Sequence, residues 1–174
     1  QNFMNKNSYF IYKKIPYVDL SIQWKEESND LLNIINKIFK KGQFVGGEEV
    51  VRFEKNIAKY CGVKYAVALN SGTDALTLAL HLCGVRPGDE VITPPNSFIA
   101  STAVIDHLGA KPVFVDVLFD QNIDPTKIEK VITSNTKVIM PVHLCGRICD
   151  MYSINKIAKK YNLKVVEDSA QAIG

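Results

Sequence analysis

The sequence has no apolar run approaching the roughly 20 residues of a membrane-spanning helix. Residues 1–14 carry scattered lysine and asparagine where a signal peptide would have its apolar stretch. A concentrated basic face is also missing. The net charge is only +3 and the lysine pairs at 13/14, 40/41 and 159/160 are isolated, a distribution that argues against nucleic acid as a partner. No strand-like segment is followed by G-x-G-x-x-G, which speaks against a nicotinamide-dependent oxidoreductase on a Rossmann sheet. Cysteine is scarce. Among the four, Cys145 and Cys149 lie near His143, but no second ligand pair matches them, so no metal site is expected. Without an export signal, free buried thiols and a cytoplasmic setting are the expectation.

What is present suits one soluble globular domain with a real core: 47% of residues are apolar and 22% charged. That balance excludes disorder as the general state of the chain. Residues 1–14 read as a flexible N-terminal arm, and residues 15–20 as a short extended entry, because the proline at 16 disfavours helix before it. Helical spacing of Leu31, Leu32, Ile34, Ile35, Ile38 and Phe39 predicts a helix over about 26–41, stopped by Gly42. A second helix is expected over 48–60.

From residue 64 onward, strands and helices alternate. Strands are expected at 65–69, 90–93, 112–116, 137–142 and 163–168. Helices are expected at 73–83, 97–108, 124–132 and 151–161, the third with Pro125 in its first turn. Five apolar strands separated by helices predict an α/β fold, a mostly parallel sheet covered on both faces. The sequence ends just after the fifth strand, which reads as truncation.

In such sheets ligands bind beyond the carboxyl ends of the strands, so the residues following each strand carry the functional reading. Ser71-Gly72-Thr73 opens a helix and can cradle a phosphate through backbone N–H groups and a hydroxyl. The same residues also read as an ordinary Ser/Thr cap, the commoner use of such a segment. Asp168 ends an apolar strand and can hold a protonated ring nitrogen, or equally cap the next element. Phe98 can stack on a planar ring, although a lone aromatic near a helix start is more often core. His143 can serve as acid, base or ligand, but a single histidine after a buried strand is more often a satisfied structural residue.

In order and spacing, several segments together resemble one family. They are Asn70-Ser71-Gly72-Thr73-Asp74-Ala75, Gly88-Asp89-Glu90-Val91-Ile92-Thr93-Pro94, Ser97-Phe98-Ile99-Ala100, Gly109-Ala110-Lys111-Pro112-Val113-Phe114-Val115-Asp116, Pro141-Val142-His143-Leu144-Cys145-Gly146 and Val166-Glu167-Asp168-Ser169-Ala170-Gln171. The family is the DegT/DnrJ/StrS aminotransferases that act on nucleotide-linked keto sugars, and the resemblance covers about residues 15–174.

The resemblance implies the large domain of the type I pyridoxal 5'-phosphate (PLP) aminotransferase fold, here the N-terminal part of that domain, truncated before the small domain. It also implies a homodimer with shared active sites, a nucleotide-sugar substrate, glutamate as amino donor and a role in polysaccharide biosynthesis. By the same resemblance Gly72 and Thr73 bind the cofactor phosphate, Phe98 stacks on the ring, Asp168 pairs with the pyridine nitrogen and Gln171 lies near the ring's phenolic oxygen. The three-residue step from Asp168 to Gln171, about one helical turn, lets both face one ring. The family's Schiff-base lysine follows the Asp-Ser-Ala-Gln segment and is not present in this sequence. Two readings share the fold: a PLP-dependent sugar dehydratase, with histidine in place of that lysine, and a non-catalytic regulatory member.

Overall fold

The structure is a computed structural model and describes residues 16–173; the expected arm at 1–14 lies outside the described residues. The chain divides into two units, the first ending at Val51 and the second beginning at Arg52.

In the first unit, helix α1 spans Leu20–Lys41. It begins six residues earlier than its apolar spacing predicts, because Asp19 caps it. The Asp19 carboxylate accepts from the Ser21 N–H at 3.1 Å and from the Ser21 hydroxyl at 2.6 Å. Gly42, at φ 64°, ends it in the left-handed conformation that glycine adopts without strain. No residue of α1 is buried. Helix α2 spans Glu48–Tyr60, as expected, and crosses the division between the units.

The second unit holds helix α3 (Gly72–Leu82), strand β1 (Glu90–Thr93), helix α4 (Ala100–His107) and strand β2 (Lys111–Phe114). A short helix α5 (Pro125–Ile128) continues as a 3-10 turn, and strand β3 (Thr136–Ile139), helix α6 (Met151–Tyr161) and strand β4 (Lys164–Val165) follow. The four strands are parallel, in the order β2-β1-β3-β4. Alternation along the strands explains the two-sided core. Val91 and Val138 point to one face, where Leu76 and Leu80 of α3 and Val104 and Ile105 of α4 pack on them. Ile92 and Ile139 point to the other face, against Ile128 of α5 and Ile154 and Ile157 of α6. The expected parallel sheet with helices on both faces is therefore the observed architecture.

The expected strand at 65–69 is not one. Those residues pair with no neighbouring strand; the Ala68 N–H is instead held by the Glu54 carboxylate at 2.9 Å. Tyr65 and Val67 remain 74% and 76% exposed. A short apolar run marks a segment suited to a sheet, but a strand exists only where its backbone finds a ladder partner. The last strand is also shorter than expected; the chain after it follows β3 and its continuation through the Val166 N–H on the Ile139 carbonyl at 3.1 Å and a bridge between Val142 and Asp168. Among the described residues no helix is long and apolar enough to cross a membrane.

Ile139 is fully buried, so Ile139→Ala should lower stability by about 2–5 kcal/mol in denaturant unfolding. Glu90 is buried at the start of β1 and accepts from the Thr133 hydroxyl at 2.6 Å, with Lys111 Nζ at 3.5 Å. The Thr133 hydrogen bond first, and the Lys111 charge with it, hold its carboxyl below the ordinary glutamate value against the opposing effect of burial. A carboxyl depressed in the folded state stabilises the fold above its unfolded pKa and loses that contribution as pH falls through the folded value. Glu90→Gln should therefore flatten the acid limb of the stability curve, measured as unfolding midpoint against pH below about 4.5.

Candidate functional site

The strand order reverses between β1 and β3. The chain leaves β1 through α4 toward β2, and leaves β3 through α6 toward β4. Outside the carboxyl ends of such a divergent pair a crevice opens, the usual ligand position in open α/β sheets. A cavity of about 200 Å³ lies there, and its lining includes Gly72, Thr73, Ser97, Phe98, Asp168 and Gln171. All five residues expected to bind cofactor thus come together, from the start of α3, the turn before α4 and the segment after β4. A larger groove of about 610 Å³ runs between α5 and α6, but it lies along helix flanks, and Lys160 on its wall is already paired with Glu129 at 2.8 Å.

Ser71 is a true helix cap: its Oγ accepts from the Asp74 N–H at 3.1 Å. That leaves the N–H groups of Gly72 and Thr73, the first two of α3, without an intrahelical acceptor. A Cβ on Gly72 would meet nothing within 4 Å. Cap and cradle are therefore not alternatives here, since the serine satisfies one donor and two others remain for a ligand.

Phe98 is 72% exposed and so is not core. It stands in the turn that leads into α4, where its carbonyl accepts from the Ser101 N–H at 3.2 Å. Helix α4 starts at Ala100, three residues later than expected, and this turn is what places Phe98 on the cavity wall.

Asp168 is fixed through its backbone and its side chain. Its N–H donates to the Pro141 carbonyl at 3.0 Å and its carbonyl accepts from the His143 N–H at 3.1 Å. Its Oδ2 accepts from the Ser101 hydroxyl at 3.1 Å and its Oδ1 from the Ala170 N–H at 3.2 Å. The step from Asp168 to Gln171 is a turn and not the helical turn anticipated, because the Ala172 N–H closes back on Ser169 at 3.0 Å. Both residues still line one cavity. Gln171 Oε1 accepts from the Cys145 N–H at 2.6 Å, which leaves its Nε2 donors for other partners.

Cys145 adopts φ 54° within the 3-10 turn Leu144–Gly146. Asn122, almost fully buried, clamps that turn: its Oδ1 accepts from the Leu144 N–H at 3.3 Å and its Nδ2 donates to the Arg147 carbonyl at 3.1 Å.

His143 is not available for chemistry. Its Nδ1 accepts from the Cys149 N–H at 3.2 Å, so its proton lies on Nε2, which donates to Glu167 Oε2 at 2.9 Å. Burial pushes the Cys149 thiol up, which keeps it unreactive. The expectation of buried thiols holds for Cys149 only. Cys83 is half-buried, while Cys61, just beyond α2, and Cys145, in its left-handed turn, are exposed.

Ser97, Ser101 and Asn122 carry site geometry without having been singled out from the sequence. The signal for the serines was present: two hydroxyls four residues apart, one of them on the helix face that also holds Val104 and Ile105. Asn122, in an irregular loop, gave none. Among the described residues lining the cavity there is no lysine.

Residues 25–174 match the DegT/DnrJ/EryC1/StrS aminotransferase family. The chain is 48% identical over 161 residues to the dTDP-3-amino-3,6-dideoxy-alpha-D-galactopyranose transaminase of Aneurinibacillus thermoaerophilus, covering 92% of this chain and 44% of that protein. It is 42% identical over 161 residues to the Pleiotropic regulatory protein of Geobacillus stearothermophilus, covering 92% and 43%. The crystal structure of NtdA from Bacillus subtilis with bound cofactor PMP superposes with a TM-score of 0.90 at 41% identity, covering 92% of this chain and 38% of that one. The chain thus spans less than half the length of these relatives.

Asn122→Ala should lower stability by about 1–3 kcal/mol, because it removes two half-buried hydrogen bonds to the turn, at the Leu144 N–H and the Arg147 carbonyl. Amide exchange at Cys145 should speed up with it; unchanged exchange there would mean that the clamp does not hold this turn.

Proposed function

Because the chain belongs to the DegT/DnrJ/EryC1/StrS aminotransferase family, we propose that residues 15–174 form the N-terminal part of the cofactor-binding large domain of a PLP-dependent sugar aminotransferase. The enzyme moves an amino group from glutamate to a nucleotide-linked keto-deoxysugar. The observation that carries this reading is the single cavity lined by Gly72, Thr73, Phe98, Asp168 and Gln171.

The residues fit the cofactor. Open space at Gly72 and two uncommitted N–H groups at the start of α3 suit a phosphate dianion. An exposed aromatic face suits a planar ring, and a carboxylate suits a ring nitrogen that must stay protonated. When bound, PLP supplies an electron sink for the carbanion formed at the substrate carbon.

Each residue of the chain then has a defined task. Gly72 and Thr73 anchor the phosphate through backbone and hydroxyl. Phe98 covers one ring face. Asp168 holds a proton at the ring nitrogen, its carboxylate already oriented by Ser101 and the Ala170 N–H. Gln171, turned by its bond to the Cys145 N–H, offers Nε2 to the ring's phenolic oxygen. The family assigns the proton-moving amine to a lysine after Gln171, outside this sequence. A cytoplasmic homodimer with shared active sites completes the reading. That α1 has no buried residue, with Leu31, Leu32, Ile35 and Phe39 each more than 40% exposed, supports the homodimer.

A non-catalytic regulatory role is the second reading, favoured by the similarity to the Pleiotropic regulatory protein. One experiment separates the two: the visible absorption spectrum of the full-length protein with PLP, before and after glutamate. Conversion of the cofactor band by glutamate is expected. A band that forms and does not respond to glutamate would favour the regulatory reading. Asp168→Ala should reduce turnover by at least about 100-fold while PLP is still retained in equilibrium dialysis; near-normal turnover would remove Asp168 from the mechanism.

A further inference from the structure

Ser101 is fully buried in α4, yet its hydroxyl donates to Asp168 Oδ2 at 3.1 Å, and Ser97 Oγ lies 2.8 Å from Ser101 Oγ. An ionised carboxylate only accepts, so the single Ser101 proton is committed to Asp168. The Ser101 oxygen must then accept from Ser97, whose proton completes a one-way chain that ends on the carboxylate. Ser97 itself lines the cavity. The other carboxylate oxygen, Oδ1, takes the Ala170 N–H at 3.2 Å. The plane of the carboxylate is therefore set from α4 on one side and from the turn after β4 on the other.

We propose that Ser101, oriented by Ser97, is a positioning residue that holds Asp168 as an oriented carboxylate, so that the proton it shares with a ring nitrogen stays on the nitrogen. The inference rests on the PLP reading of this cavity. The Ser101 hydroxyl donates to Asp168 and the Ser97 hydroxyl to Ser101, so the chain of protons points at the negative charge. Removing the hydroxyls leaves the carboxylate with one donor fewer and less well aimed, and the shared proton moves toward oxygen. A serine kept only for packing would produce no such displacement.

The test is the nitrogen-15 NMR shift of ring-labelled PLP bound to the full-length protein. In the wild type the signal is expected at the protonated position. Ser101→Ala should move it toward the unprotonated position and weaken PLP binding about tenfold. Ser101→Thr, which keeps the hydroxyl, should restore both, and Ser97→Ala should give a smaller displacement in the same direction. Should the alanine variant fail to fold, Ser101→Cys, close in size and a weak donor, is read in the same way. A Ser101→Ala or Ser101→Cys signal that coincides with the wild-type signal overturns the proposal while the PLP reading stands. A wild-type nitrogen that is itself unprotonated overturns the role of Asp168, and this inference with it.

Discussion

Everything at the candidate site depends on β1 and β3 lying side by side while the chain departs from their carboxyl ends in opposite directions. That pairing runs Val91 to Val138 and Ile92 to Ile139, after one irregularity between Glu90 and Val91. It is secured by residues with no exposed surface, Val91 and Ile92 on one strand and Val138 and Ile139 on the other. Close packing on both faces leaves the strands no freedom to slide, because a shift of one residue would exchange their two faces. Thr93 adds a cross-link at the crevice itself, its hydroxyl donating to the Met140 carbonyl at 3.0 Å. The cavity is thus a consequence of topology, and the side chains around it are those that happen to follow the strands.

The sequence showed the architecture because short continuous apolar runs between helix-period segments admit few solutions. Val91, Ile92, Val138 and Ile139 are unbroken apolar pairs, as strands covered on both faces require. The cofactor-site candidates were legible for a related reason: each lies in a segment at or just beyond the end of a strand expected from the sequence. What stayed illegible depends on partners. Residues 65–69 have a strand's composition and no ladder. The start of α1 was set by Asp19 and not by the apolar stripe. The Asp168–Gln171 spacing suggested a helix where the chain makes a turn, since three-residue spacing does not distinguish the two. Asn122 could not be found at all, because its value lies in meeting a loop that is distant in sequence.

The site is not uniformly rigid, and the gradient has a physical cause. Asp168 is held by two backbone hydrogen bonds and two more to its carboxylate. Gln171 is held by one side-chain bond to a turn that is itself clamped by Asn122. The start of α3 is fixed by the Ser71 cap and by Leu76 and Leu80 packed into the core. Phe98 has none of these restraints on its ring and stands 72% exposed. Groups that must discriminate charge, the carboxylate and the helix N-terminus, are preorganised, because misplacing a charge or dipole by an ångström costs more than misplacing an apolar surface. An aromatic cover tolerates freedom, since stacking is broad in angle and distance. On the proposed reading, the phosphate and ring nitrogen of PLP would meet groups already in place, and Phe98 would settle last onto the ring face.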